Sequence, residues 1–275
     1  MRFTLIIAFV FLFNLVRGQI DTDRPAFTNS VNVVPSKTLQ FEGGLHYFYA
    51  DNGAAPTFAT EDFEGCLLEF QQYSLPIGVL RYGIAERTEL RLSLPSISLV
   101  SGTLLKDSAD YSSSGTDGLF GLGIKQRLYQ GEKFSLSGLF SLSTYKINDQ
   151  LTEQNRWLFA STDILWRYSI TDKIIAAGTV GFSPDIYGNR FNAAALIGAY
   201  ITPTFWVQGE YVSESILYYE AGFWSEIITV NLSAQKTLND KNAIDFTVGS
   251  ALFGSMLPPN LAVQVGYAHS FDLKK

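Results

Sequence analysis

The sequence predicts an all-β fold, an antiparallel transmembrane β-barrel of about twelve strands with both termini in the periplasm, and three observations carry that prediction. Charged residues make up only 17% of the 275 residues, against roughly 25% in soluble domains. Aromatics reach 14% while the mean hydropathy is only +0.10, and beyond the N-terminus no stretch approaches the ~18 uninterrupted apolar residues of a spanning helix. From Lys37 onward, apolar residues recur at every second position between glycines and short polar clusters. That period belongs to strands with two unlike faces.

The elements follow in order. Met1-Arg2, an apolar run from Leu5 to Phe13 and Val16-Arg17-Gly18 form the pattern of a secretory signal peptide over residues 1–18. Its removal takes away Arg2 and Arg17 and moves the net charge from −6 to −8. An acidic chain of this kind excludes a nucleic-acid footprint. No cysteine follows the cleavage point directly, and the single Cys66 excludes an internal disulfide framework or a cysteine metal cluster. Residues 19–36 form a polar periplasmic segment, expected to cap the barrel floor through a local ion pair of Asp23 and Arg24. Plugging the lumen and binding a periplasmic partner are the other readings of that segment.

The barrel occupies residues 37–275. Twelve segments read as strands: 37–50, 67–82, 88–99, 118–128, 133–143, 156–169, 173–183, 190–201, 204–213, 221–236, 242–253 and 261–273. The alternation is clean where Leu39, Phe41, Leu45 and Tyr47 face away from Gln40, Glu42 and His46, and where Phe134, Leu136, Phe140 and Leu142 interleave with serines. Links after every second strand are short (83–87, 129–132, 170–172, 202–203 and 237–241). Those between are longer and more polar, above all 51–66, 100–117 and 145–155. Short turns at one end and long loops at the other describe an outer-membrane barrel with periplasmic termini. Loop 101–117, with Ser112-Ser113-Ser114-Gly115, reads as mobile and surface exposed. Pro76 and Pro95 fall inside predicted strands and require bulges or the rim.

A two-sheet sandwich would also alternate, but its outward positions would carry lysine and glutamate. Here the non-apolar face is Ser, Gly, Thr, Asn and Gln, and the apolar face ends in aromatics. Tyr82, Trp166, Tyr168, Phe205, Tyr267 and Phe271 lie near the short turns, and Tyr49, Phe182, Phe191, Tyr211 and Phe223 near the long loops, as two interface girdles would. Hydrocarbon offers no partner to an open sheet edge, so the last strand must pair with the first. Tyr267 and Phe271 on the final strand look like the signal read by the barrel assembly machinery, with Asp272 to Lys275 following as a departure. The partners expected are therefore outer-membrane lipid, that machinery and a small solute.

Ile20-Asp21-Thr22-Asp23-Arg24-Pro25-Ala26-Phe27-Thr28, then Val34-Pro35 and Leu39-Gln40-Phe41-Glu42-Gly43-Gly44, resemble a bacterial outer-membrane family. Leu80-Arg81-Tyr82-Gly83-Ile84, Glu86-Arg87-Thr88-Glu89-Leu90-Arg91-Leu92 and Gly121-Leu122-Gly123-Ile124-Lys125 extend the resemblance. It is the phenol-degradation meta-pathway outer-membrane protein family, often labelled simply as transporter. The resemblance spans the mature chain and is strongest in its first third; members usually carry an acidic residue where this chain has Ala26. It implies a barrel passing small, aromatic or apolar compounds, and it assigns no binding residues.

Sorting strand residues by parity places Arg81, Arg91, Lys125, Arg127 and Arg167 on the inner face, with the acids Glu42, Glu89, Asp163, Glu210 and Asp245. These ten are the candidate lumen-lining residues. One reading is a basic wall facing a more acidic wall, whose transverse field orients solutes. The other is that the charges pair across the lumen because burial would otherwise be costly. No cofactor, metal or catalytic site is expected. His46 and His269 fall on opposite parities, without a metal ligand set or an evident serine partner, and Cys66 reads as a small buried thiol. The sequence therefore points to a passive outer-membrane channel for small solutes. A closed structural or surface-interaction barrel is the alternative, and an outer-membrane hydrolase the more distant one.

Overall fold

The structure, a computed structural model, describes residues 22–23, 28–51, 67–104, 110–117, 120–146, 156–184, 188–218, 224–254 and 261–273. The signal-peptide residues 1–18, Arg24, Cys66 and Phe223 lie outside them. Fourteen strands follow in sequence: β1 (Thr38–Asp51), β2 (Leu67–Ala85), β3 (Thr88–Leu94), β4 (Ser96–Leu104), β5 (Asp110–Asp117), β6 (Gly121–Gln130) and β7 (Phe134–Lys146). Then come β8 (Arg156–Ser169), β9 (Ile174–Pro184), β10 (Gly188–Thr202), β11 (Phe205–Tyr218), β12 (Trp224–Asn239), β13 (Asn242–Gly254) and β14 (Leu261–Asp272). All pairings between them are antiparallel. β14 pairs with β1 from Thr38↔Asp272 to Tyr49↔Leu261, so the sheet closes on itself.

Twelve staves make the barrel, because β3 with β4, and β5 with β6, are each one stave broken in the middle. β2 is long enough to pair with β3 along its second half and with β4 along its first. β3 and β4 pair in turn with β6 and β5. Pro95 causes the first break, since it has no N–H to give to the ladder. Pro76 lies at the same level of β2: the register steps from Gly44↔Ile77 to His46↔Ser74, so two residues of β2 oppose one of β1. That is a β-bulge, and each slip reverses which parity faces outward. On β3 the outward residue Leu90 is even-numbered, whereas Ile97 and Leu99 on β4 are odd. Likewise Arg81 is buried on one side of Pro76 and Ser74 on the other. Both staves slip at one level, so the outer face stays apolar above and below it.

The predicted loop over 101–117 needs correcting. Residues 101–104 and 110–117 extend the hairpin, with Ser101↔Ser112 and Ser98↔Gly115 in register. Small polar residues signal a loop in a soluble protein, but inside a barrel they also line the lumen. The short-turn end is as expected, with turns at 86–87, 131–133, 170–173, 203–204 and 240–241. Outward leucines, isoleucines and aromatics are left exposed around the wall, among them Leu122 at 65%, Leu232 at 64% and Ile201 at 60%. An apolar outer face on that scale is built for hydrocarbon rather than water. Buried residues are mainly polar and face inward: Gln40, Ser98, Ser137, Thr179, Gln208, Asn231, Ser233 and Thr247.

Candidate functional site

The described residues of the segment that precedes β1, 22–23 and 28–36, run inside the barrel, while Arg24, the expected partner of Asp23 in a floor cap, lies outside the described residues. Val31, Val33 and Val34 are buried, as are Thr22, Asp23 and Thr28. Hydrogen bonds fasten the segment to opposite walls. Thr28 N–H donates to Glu210 Oε1 on β11 at 2.7 Å, Val34 N–H to Glu89 Oε2 on β3 at 2.7 Å, and Ser137 Oγ on β7 to the Val31 carbonyl at 2.5 Å. Thr22 Oγ1 reaches Gln235 Oε1 on β12 at 3.3 Å. An apolar pair, Val33-Val34, in a stretch otherwise expected to meet water was the available sequence signal for this plug.

The plug leaves the lumen over Gly83. Lys37 N–H donates to the Gly83 carbonyl at 2.8 Å, and a tight turn from Pro35 to Thr38, with Lys37 at φ 63°, swings the chain into β1. A Cβ on Gly83 would stand 2.1 Å from the Pro35 oxygen and 2.5 Å from the Val34 oxygen. Gly83→Val is therefore expected to cost about 1–3 kcal/mol through overpacking and to lift residues 34–37 off β2. Limited proteolysis of the folded barrel should then cut the plug faster than in the wild type.

Charge concentrates where the plug meets β1, β2, β3 and β6. Arg81 grips Glu89 with two nitrogens, Nε to Oε1 and Nη2 to Oε2, both at 2.9 Å. It also donates from Nη1 to Glu42 Oε1 at 2.7 Å and from Nη2 to the Asn32 carbonyl at 3.1 Å. Lys125 Nζ donates to Asp23 Oδ1 at 3.0 Å and to the Ser30 carbonyl at 2.8 Å. Arg91 Nη1 pairs with Asp23 Oδ2, and Arg81 Nη1 stands 3.4 Å from Asp23 Oδ1. The Asp23 N–H donates to Glu42 Oε2 at 3.0 Å. Arg81, Lys125, Glu42 and Glu89 are each at most 1% exposed. Burial alone would raise the Asp23 carboxyl, but Arg81, Arg91 and Lys125 outweigh it and hold that group well below the usual carboxylate range.

Of the ten candidate residues, five converge on this cluster: Arg81, Arg91, Lys125, Glu42 and Glu89. The expectation of a basic wall opposite an acidic wall needs correcting for these, because cations and carboxylates interleave on adjoining strands. Asp163, Glu210 and Asp245 are buried elsewhere around the lumen. Glu210 holds Thr28 of the plug and accepts from Asn231 Nδ2 at 3.1 Å, and Asn192 Nδ2 lies 3.5 Å from Asp163 Oδ1. Arg127 stays at the short-turn end, giving Nη2 to the Glu86 carbonyl and Nη1 to Gln130 Oε1. Arg167, half-buried, lies level with Ser135 and Ala177. Missed as a site residue was Asp23, for the plug takes it to partners far away in sequence.

Beneath the plug, a cavity of about 800 Å³ opens among Val34, Gln40, Arg127, Lys241 and Asp272. His269 lies on the outer face, with the Phe271 ring 4.1 Å away and Asn242 Oδ1 2.7 Å from its Nδ1. Among the described residues, no three His, Cys, Asp or Glu side chains gather as a metal site.

A closed twelve-stave barrel with a polar, plugged interior belongs to the class of outer-membrane β-barrels. No protein-family model matches the chain, and neither does any curated protein. Among solved structures it is similar to the COG4313 outer-membrane channel from Pseudomonas putida F1, with a TM-score of 0.60 and 16% identity over 92% of this chain and 100% of that one. The translocator domain of the autotransporter NalP from Neisseria meningitidis follows at 0.53 and 11%, covering 86% and 90%. The NanC porin stands at 0.50 and 8%, covering 84% and 98%. At such identities the likeness is one of fold.

Proposed function

We propose that the chain is a passive channel of the bacterial outer membrane for small solutes, with its short turns and both termini in the periplasm and the plug as its gate. One observation carries this reading. Among the described residues, the plug is held to the wall by side-chain hydrogen bonds and ion pairs and by one isolated bridge, Ser36↔Gly83, so it can move without opening the barrel. Around it the lumen wall is small and polar, with Ser98, Thr179, Ser233 and Thr247 suited to water and solute. The meta-pathway resemblance, read with the likeness to a COG4313 outer-membrane channel, favours small aromatic or apolar solutes. Tyr267 and Phe271 would then serve assembly into the membrane.

The second reading, a barrel shut for good that acts through its loops, is favoured by the buried ion cluster, since a fully paired cluster is costly to disturb. Planar-bilayer recording separates them. The folded full chain, verified by heat-modifiable gel mobility, should give discrete conductance steps in potassium chloride. Folded protein that never conducts, at any potential and with any small solute added, would leave the shut barrel as the function.

A further inference from the structure

We propose that Arg81, Arg91 and Lys125 form a carboxylate-binding site in the lumen that the plug's own Asp23 fills at rest, so that an entering monocarboxylate solute competes with Asp23 and loosens the plug. This rests on the channel reading.

Charge is the first argument. Among the described residues, the wall supplies three cations to the cluster, two of them fully buried and Arg91 10% exposed, but only two carboxylates, Glu42 and Glu89, and the third anion comes from the plug. With Asp23 gone, the wall keeps one surplus positive charge in a place nearly closed to water, where an unpaired charge is strongly unfavourable. An anion seated there would neutralise it.

Geometry is the second. Arg81 and Arg91 stand directly opposite one another on β2 and β3, a like-charged cross-strand pair that is destabilising by itself. Both turn onto the same carboxylate, Arg91 onto Oδ2 and Arg81 toward Oδ1, while Lys125 donates to Oδ1 at 3.0 Å. Both oxygens of one carboxylate are thus read by three cations. The grip of Glu89 on Arg81 does not involve the plug, so that guanidinium keeps its aim when Asp23 leaves.

The solute class follows. A single surplus charge matches a monoanion, and an amide or alcohol of the same shape cannot replace it. A tethered group acts at an effective concentration in the millimolar range, so a free carboxylate should compete at millimolar levels or above. Displacing Asp23 removes its ion pairs with Lys125, Arg91 and Arg81, leaving the plug the hydrogen bonds of its backbone to Glu89, Glu210, Arg81 and Lys125.

The experiment uses the full chain in planar bilayers, with benzoate and its neutral isostere benzamide as probes. Benzoate should raise the wild-type open probability several-fold while benzamide at equal concentration does not. Asp23→Asn should conduct without either probe, with a reversal potential shifted toward chloride. If benzoate and benzamide act alike on a conducting wild type, the carboxylate site is overturned and the channel reading stands. If neither wild type nor Asp23→Asn conducts under any condition, both fail. Should Asp23→Asn not fold, Arg91→Gln decides, because Arg91 is the most exposed of the three cations. Its response to benzoate must be at least several-fold weaker than wild type, and an equal response overturns the site.

Discussion

Arg81→Ala is expected to lower the stability of the barrel by about 3–5 kcal/mol, the cost of breaking one partner out of a buried ion network. The side chain is 1% exposed and serves four groups: Glu89 through two parallel bonds, Glu42, the Asn32 carbonyl and, more distantly, Asp23. Alanine would leave Glu42, Glu89 and Asp23 facing only Arg91 and Lys125. Lysine should not restore the loss, because an ammonium cannot reproduce the two parallel bonds to Glu89. Heat-modifiable mobility as a function of temperature reads the effect, and Arg190→Ala is the control. Arg190 pairs with Glu214 at 3.2 Å, with the two side chains 46% and 39% exposed, so its loss should cost at most about 1 kcal/mol. Equal transitions for the two variants would mean that the cluster does not hold the barrel together.

The barrel was legible because its physics is periodic. Alternation located the strands from Thr38 to Asp272, and the short links fell where the turns are. Parity alone could not follow the slip at Pro76 and Pro95. A proline announces that the ladder is interrupted, whereas which neighbour absorbs the extra residue depends on register between strands. The serines and glycine at 112–115 were ambiguous for another reason, since lumen walls and loops draw on the same small polar residues. Charge gave the inner faces of Arg81, Glu89, Arg91 and Lys125, all set by local alternation. Their shared partner Asp23 was not readable, because the path of a segment without secondary structure is fixed by what it meets: Glu210 in β11, Ser137 in β7, Gly83 in β2.

A reversible cross-link across the same contact should switch the current off. Ser137 Oγ lies 2.5 Å from the Val31 carbonyl, with both residues buried, so the two positions adjoin, and a disulfide can form between them where their Cα atoms stand ~4.4–6.8 Å apart. Val31→Cys with Ser137→Cys, in a Cys66→Ser background that removes the one native thiol, ties the middle of the plug to β7. Oxidised protein should fold and show the usual heat-modifiable shift, since the bond joins two neighbouring residues, yet pass no current. Reductant added to the same bilayer should restore the steps, which rules out misfolding as the cause of silence. The physical point is where motion is required: a solute passing a stationary plug would be indifferent to the bond, whereas a solute that needs the plug displaced would be stopped by it. Oxidised channels that conduct as freely as reduced ones would therefore place the pathway beside the plug and leave residues 28–36 as a fixed lining of the pore.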